Sequence, residues 1–342
     1  MAKTVFILGT GFIGGSVLQG LLDEIAALCR DDKKAAKLKS LGVRPVKGTL
    51  HDDAVIQKEA STADIVLHIA TADDKPSIES ILAGLEKRSK EKEPAILHSH
   101  LGHGLCAKAY LGRDNVLTPP FFPRILSFAA GVLTSPVHPK GLIFADKSQN
   151  IFDDEIPDDA LHRQEDLTIK RAVDSGKLNA KISIILPPLI YGIGTGPFNR
   201  RSIQIPLYVK DVIKHKAAQL YSPELIWNNI HIKNLVAAYL TLLSHLELTS
   251  SRPPLYIIAE TGEHTWGSLY TAVESDVKSR GLIPQDAKAQ PKDEQFPETG
   301  TGTQSRSKSE LLPEWGWKVE KLGMVEESVK ETVQHMEELG EI

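Results

Sequence analysis

The sequence predicts an α/β fold: a doubly wound, Rossmann-type parallel sheet of about seven strands with a smaller C-terminal substrate lobe. Three observations carry that expectation. Short apolar runs alternate with helix-length amphipathic stretches through the first half, a rhythm that builds a parallel sheet covered on both faces. A glycine-rich turn, Gly9-Thr10-Gly11-Phe12-Ile13-Gly14, stands between the first apolar run and the first helical pattern. After Tyr191 the rhythm breaks, and Gly192 to Pro206 is rich in Gly, Pro and Arg.

The expected strands are Thr4–Leu8, Ile25–Leu28, Arg44–Val46, Ile65–Ala70, Ala95–His98 and Ile182–Leu186, with Leu255–Ala259 as a late returning strand. Helical patterns cover Gly14–Leu22, Lys33–Leu41, Asp53–Glu59 and Ser77–Lys87 between them. Residues 1–191, joined by about 225–259, are expected to form the sheet domain, and 192–224 with 260–342 the smaller lobe. The tract Pro284–Ser309 is polar and reads as a long loop. About 103–150 reads as an insertion that is hydrophobic without being regular, its Phe121, Phe122 and Phe128 set among prolines.

A chain of 342 residues can bury a large core, and its formal charge of −4 gives no electrostatic reason to expect nucleic acid or anionic membrane. Two cysteines, Cys29 and Cys106, make no disulfide framework and suit a reducing compartment, so a cytoplasmic location is expected. The first apolar stretch is too short for a signal sequence, and Ile125 to Leu133 falls far short of the roughly 20 residues of a membrane span.

The glycine turn is the strongest chemical signal, because it follows a strand and opens a helix. Gly9 permits the tight turn, Gly11 lets a pyrophosphate approach the backbone, and Gly14 allows close packing. Thr10, Phe12 and Ile13 complete the turn, and the phosphates would sit at the helix N-terminus, where free N–H groups and the dipole favour anions. The second strand ends in Leu28-Cys29-Arg30-Asp31-Asp32. An acid at its tip would suit the ribose of NAD, whereas an arginine just beyond suits the 2′-phosphate of NADP. Cys29 stands at the acid's place and Arg30 follows it, which favours NADP, with NAD the alternative; Lys33 or Lys34 would assist.

Further stretches resemble the extended short-chain dehydrogenase/reductase family. Gly48-Thr49-Leu50 with Asp52 is similar to its GDL-D motif, and Ala63-Asp64-Ile65-Val66-Leu67-His68-Ile69-Ala70 to its ADxVxHxA strand. Pro187-Pro188-Leu189-Ile190-Tyr191-Gly192 looks like its RPxxxYG turn, Asn229–Leu235 like VHVDDLA, and Gly316-Trp317-Lys318 like GWKP. The resemblance implies cofactor contacts at Thr49, Leu50, Ala70 and Pro187. The family usually writes GxxGxxG; here Leu8 stands at its first glycine and Gly9 supplies the alternative, the form of its atypical branches.

The resemblance also implies a catalytic tyrosine, and a lysine four residues on, about 25 residues before the YG turn. That register gives His162 and Asp166 instead. On one helical face, i and i+4, they would make an acid–base pair; equally, the helix entry could simply carry polar surface. The family's serine corresponds to Ser99, which could hold a substrate carbonyl. His98, His100 and His103 around it lack a carboxylate at ligand spacing, so no metal is expected.

On the substrate side stand Tyr191, Asn199, Arg200 and Trp227; the arginine could bind an anionic substrate or be surface charge, and the tryptophan could instead pack the lobe. The insertion would form a lid, an apolar substrate wall, a homodimer contact or a disordered loop. Together these features predict an NADP-dependent reductase of a carbonyl or related unsaturated group in a small organic metabolite. A non-redox isomerase, cyclase or lyase using His162 and Asp166, or a catalytically silent dinucleotide sensor, are the alternatives.

Overall fold

A computed structural model describes residues 3–21, 24–88, 94–100, 142–158, 160, 162–292 and 302–342. Seven strands form the central sheet: β1 (Thr4–Leu8), β2 (Glu24–Cys29), β3 (Arg44–Lys47), β4 (Ile65–His68), β5 (Ala95–His100), β6 (Ala180–Leu186) and β7 (Tyr256–Ile258). Their spatial order is β7-β6-β5-β4-β1-β2-β3, and every pairing is parallel. The order reverses between β1 and β4, and in open α/β sheets ligands bind in the crevice at such a point, beyond the carboxyl ends of the strands. Val5 to Leu8 and Ile65 to His68 are buried without alternation because helices cover both faces.

On one face lie α1 (Phe12–Gly20), α2 (Asp32–Ser40) and the long helix Ile232–Leu248, whose Leu235, Tyr239 and Leu242 pack with Val5, Ile7 and Val17. On the other lie α3 (Asp53–Thr62), α4 (Lys75–Lys87) and α5 (Arg163–Asp174), whose Ile56, Ile81 and Ile169 pack with Phe6, Val66 and Leu97. Even numbers along β1 and β4, and odd ones along β5, face this second layer. Ser99 and His68, paired in register, therefore point to the same side, under α4 and α5.

Beyond Tyr191 a three-stranded sheet forms from Leu189–Tyr191, Ile226–His231 and Gly262–Thr265. Ile226–His231 thus pairs outside the central sheet, while the helix that follows it covers that sheet. The tract expected to be a loop departs from expectation at both of its described ends. Gln290–Lys292 pairs with Gln219–Tyr221, and Ser307–Lys308 with Phe144–Ala145. Polarity misled here because the buried positions are small hydroxyl residues: the Asn228 side-chain carbonyl accepts from the Ser307 amide, and Ser305 is fully buried. Most of the hydrophobic insertion, residues 101–141, lies outside the described residues. Among those described, no helix is long and apolar enough to cross a membrane.

Candidate functional site

A cavity of about 460 Å³ opens at the carboxyl ends of β1, β2, β3 and β4. Gly9, Thr10 and Gly11 form its floor, Cys29, Arg30 and Lys34 one wall, Thr49, Leu50 and His51 another, and Ala70 and Asp74 the side toward β4. The three glycines have separable physical jobs. Gly9 has φ +98°, and a Cβ there would lie 2.4 Å from the Ala70 Cα, so both its conformation and its neighbour exclude a side chain. A Cβ on Gly14 would lie 1.9 Å from the Gly9 carbonyl oxygen. A Cβ on Gly11 would meet nothing within 4 Å, so the protein itself does not require a glycine there. The bare backbone of Gly11 faces open space, where a phosphate would approach, and α1 starts at it with no side-chain cap on its first N–H groups. Phe12 and Ile13 pack inward with the core, and Pro187 is buried beyond β6 rather than lining the cavity.

At the far wall the charges sort by what they touch. Asp31 caps α2 by accepting from the Lys34 amide, and Asp32 pairs with Lys47. Arg30 is exposed beside the cavity and makes no ion pair among the described residues. Cys29 is buried, and burial pushes its thiol above the usual range, so it adds no negative charge to this wall. Thr49 lines the cavity, yet its amide and hydroxyl both donate to Asp52, at 2.6 and 2.8 Å. Those two bonds hold the Asp52 carboxyl below its usual range and leave Thr49's hydroxyl committed within its own turn.

The structure corrects the expected pairing of His162 with Asp166. His162 is not the first residue of a helix face; it sits at the N-cap of α5 in the left-handed region, φ +65°. An i, i+4 relation assumes helical geometry at both ends, so it fails here. The imidazole Nδ1 instead pairs with the Asp73 carboxylate, supplied by the loop after β4. Asp73 is the residue that sequence reasoning missed. An acid beyond the fourth strand stands where ligands gather, which was the available signal.

Asp166 is fully buried, and neither carboxyl oxygen has a hydrogen-bond partner among the described residues. Burial raises it well above the usual carboxylate range, although the nearby Arg163 guanidinium opposes that shift. Arg163 in turn donates to Tyr256 Oη at 2.9 Å and to Asp153 at 2.9 Å. Ser99 is 1% exposed and its Oγ has no partner among the described residues, and beside it in register His68 bonds Ser77 Oγ at 3.0 Å. Burial brings the His68 imidazole down to about 4. Among the described residues no group of three or more His, Cys, Asp or Glu is placed to hold a metal.

The expected substrate residues do not share one place. Tyr191 lines a second cavity of about 440 Å³ together with Asn229, Asn234 and residues 319–326, and its hydroxyl donates to the Gly323 carbonyl at 2.9 Å. Asn199 and Arg200 are exposed on the loop after Gly192, and Arg200 donates to the Gly194 carbonyl at 2.7 Å. Trp227 is fully buried and meets Trp266 edge-on at 5.0 Å, so it packs the lobe and has no surface for a substrate.

With this geometry in hand, comparison with known proteins places the fold. No family model matches the chain. It is 25% identical over 311 residues to an oxidase, ucsJ, from an Acremonium species, covering 83% of this chain and 81% of that one. Among solved structures, the UDP-glucose 4-epimerase of Thermotoga maritima superposes with a TM-score of 0.63 at 11% identity, covering 98% of this chain and 99% of that one. The dTDP-glucose 4,6-dehydratase DesIV of Streptomyces venezuelae, bound to NAD, gives 0.64 at 13% identity, covering 98% and 97%. The chain has the Rossmann-type fold of these epimerases and dehydratases.

Proposed function

We propose that the protein is a nicotinamide-dinucleotide oxidoreductase, with NADP as its cofactor, acting on a carbonyl or related unsaturated group of a small organic metabolite. The observation that carries the reading is the His162–Asp73 pair, one residue along the chain from Asp74, which lines the cavity beside the glycine turn. The redox assignment is supported by the oxidase to which the chain is similar along most of its length. The cofactor assignment is supported by the glycine turn, the start of α1 without a side-chain cap, and Arg30, which makes no ion pair among the described residues; together they fit a diphosphate and a 2′-phosphate.

A bound nicotinamide supplies the hydride. The chain's own residues do the rest. The N-terminus of α1 holds the diphosphate, and Arg30 meets the ribose phosphate. Asp73 accepts from His162 Nδ1, fixing the tautomer and assigning proton exchange to Nε2, whose proton goes to the carbonyl oxygen as the carbon is reduced. His162 thus enters the step as an imidazolium paired with the Asp73 carboxylate and leaves it as a neutral imidazole carrying its proton on Nδ1, and the Ser99 hydroxyl, which has no partner among the described residues, is the donor for the substrate oxygen.

The test is incubation of the pure protein with NADPH and a panel of carbonyl compounds, following absorbance at 340 nm. Turnover that disappears in His162→Phe while cofactor binding persists is the expected result. Tight binding with no oxidation across the panel overturns the redox reading in favour of a non-redox isomerase or lyase, or of a dinucleotide sensor.

A further inference from the structure

The loop that follows the Tyr191 turn runs onto α1. Its two glycines make this possible: a Cβ on Gly196 would lie 2.7 Å from the Gly15 carbonyl carbon, and one on Gly194 would lie 2.7 Å from Ser16 Oγ. The Thr195 amide donates to Ser16 Oγ at 3.2 Å. The Gly194 amide donates to the Arg200 carbonyl at 2.6 Å while Arg200 Nε donates back to Gly194, closing the loop on itself. This ring of chain presses Phe198 against the α1 side of the core and sets its face 5.4 Å from Lys34 Nζ.

Lys34 also lines the cofactor cavity, one turn of chain from Arg30. The carboxylates nearest it in sequence are engaged elsewhere, Asp31 as the helix cap and Asp32 with Lys47. The aromatic face is thus the contact that orients the ammonium. We infer that Phe198 is a positioning residue for the cofactor: it aims Lys34 at the 2′-phosphate, so the loop leaving the substrate-side turn forms part of the NADP site. The inference rests on the NADP reading above. A lysine has much rotamer freedom to lose on ordering, and an aromatic ring beneath it restricts that freedom before the phosphate arrives.

The experiment measures NADPH and NADH dissociation constants by calorimetry for the wild type, Phe198→Leu, Phe198→Tyr, Lys34→Met, the Phe198→Leu/Lys34→Met double variant and Arg30→Ala. Phe198→Leu weakens NADPH about two- to fivefold, the worth of a partly exposed cation–π contact, and leaves NADH unchanged. Phe198→Tyr restores the affinity, and Phe198→Leu has no further effect once Lys34 is methionine. Equal weakening of both cofactors, or an undiminished effect in the Lys34→Met background, overturns the inference and leaves Phe198 as loop packing. Arg30→Ala discriminating the cofactors while Phe198→Leu changes nothing overturns the role of Phe198 alone. A wild type that binds both cofactors equally, with Arg30→Ala silent, removes the NADP reading itself.

Discussion

The two ends of the crevice are built on different length scales. At the proposed cofactor end the groups that would meet the diphosphate and ribose phosphate lie in the first strand–helix–strand unit: the turn at Gly9, the bare backbone at Gly11, and the Arg30 that directly follows β2. At the catalytic end the paired groups, Asp73 and His162, are 89 residues apart in sequence, and the residue that spacing puts beside His162 is turned into the core. Local chemistry can be read from a motif. A pair assembled by the packing of one loop against the start of a distant helix cannot.

The largest test of this contrast is at the catalytic end. His162→Phe should slow turnover by about 10²–10⁴-fold, the usual contribution of positioned proton transfer, with NADPH binding unchanged. Asp73→Asn should follow it in the same direction, while Asp166→Asn should not. Steady-state kinetics on the three variants check this, and a loss in Asp166→Asn equal to that in Asp73→Asn would restore the pairing that spacing suggests.

At the cofactor end the glycines should separate. Gly9→Ala should destabilise the fold by roughly 2–4 kcal/mol, from a left-handed backbone and a Cβ forced against Ala70. Gly11→Val should leave stability unchanged and abolish dinucleotide binding, since its side chain occupies only the open space. Urea denaturation with parallel calorimetry distinguishes the two, and equal destabilisation would mean that Gly11 is structural.

Two buried groups near the His162 end should oppose each other in their response to pH. His68, held near 4 by burial, must take up a proton when the chain unfolds in acid. Its contribution is complete above about pH 6.5 and is lost as pH falls through about 4, amounting to up to about 3 kcal/mol at 1.36 kcal/mol per pH unit. Asp166, raised by burial, acts oppositely: its contribution is present in acid and lost as pH rises through its folded value. His68→Asn should therefore flatten the loss of stability between pH 7 and pH 4.5, measured by denaturant titration at both. An unchanged slope would mean that other groups govern the acid limb.

The smallest expected effect returns to the cofactor end. Arg30→Glu should weaken NADPH binding by about 1.5–3 kcal/mol and leave NADH little affected. Equal binding of both cofactors by the wild type would show that Arg30 does not read a phosphate.

The strand–helix rhythm was legible because buried parallel strands must be continuously apolar and the helices between them amphipathic. The polar tract before Ser309 was misread because small hydroxyl side chains can be buried along a backbone bonded to Asn228 and Ile226. Trp227 gave no sign of whether it faced a ligand or Trp266, since an aromatic serves either purpose.

By itself the sequence determined the strands of the parallel sheet and the glycine turn after the first of them, because each depends on neighbours within a turn or strand of chain. Only the tertiary structure decided which carboxylate meets His162, that Asp166 is sealed beneath α5, and that the loop after Tyr191 reaches Lys34. Those outcomes depend on which surfaces of distant segments pack together and on the left-handed backbone of His162 itself at the start of its helix, and neither leaves a period or a spacing to read.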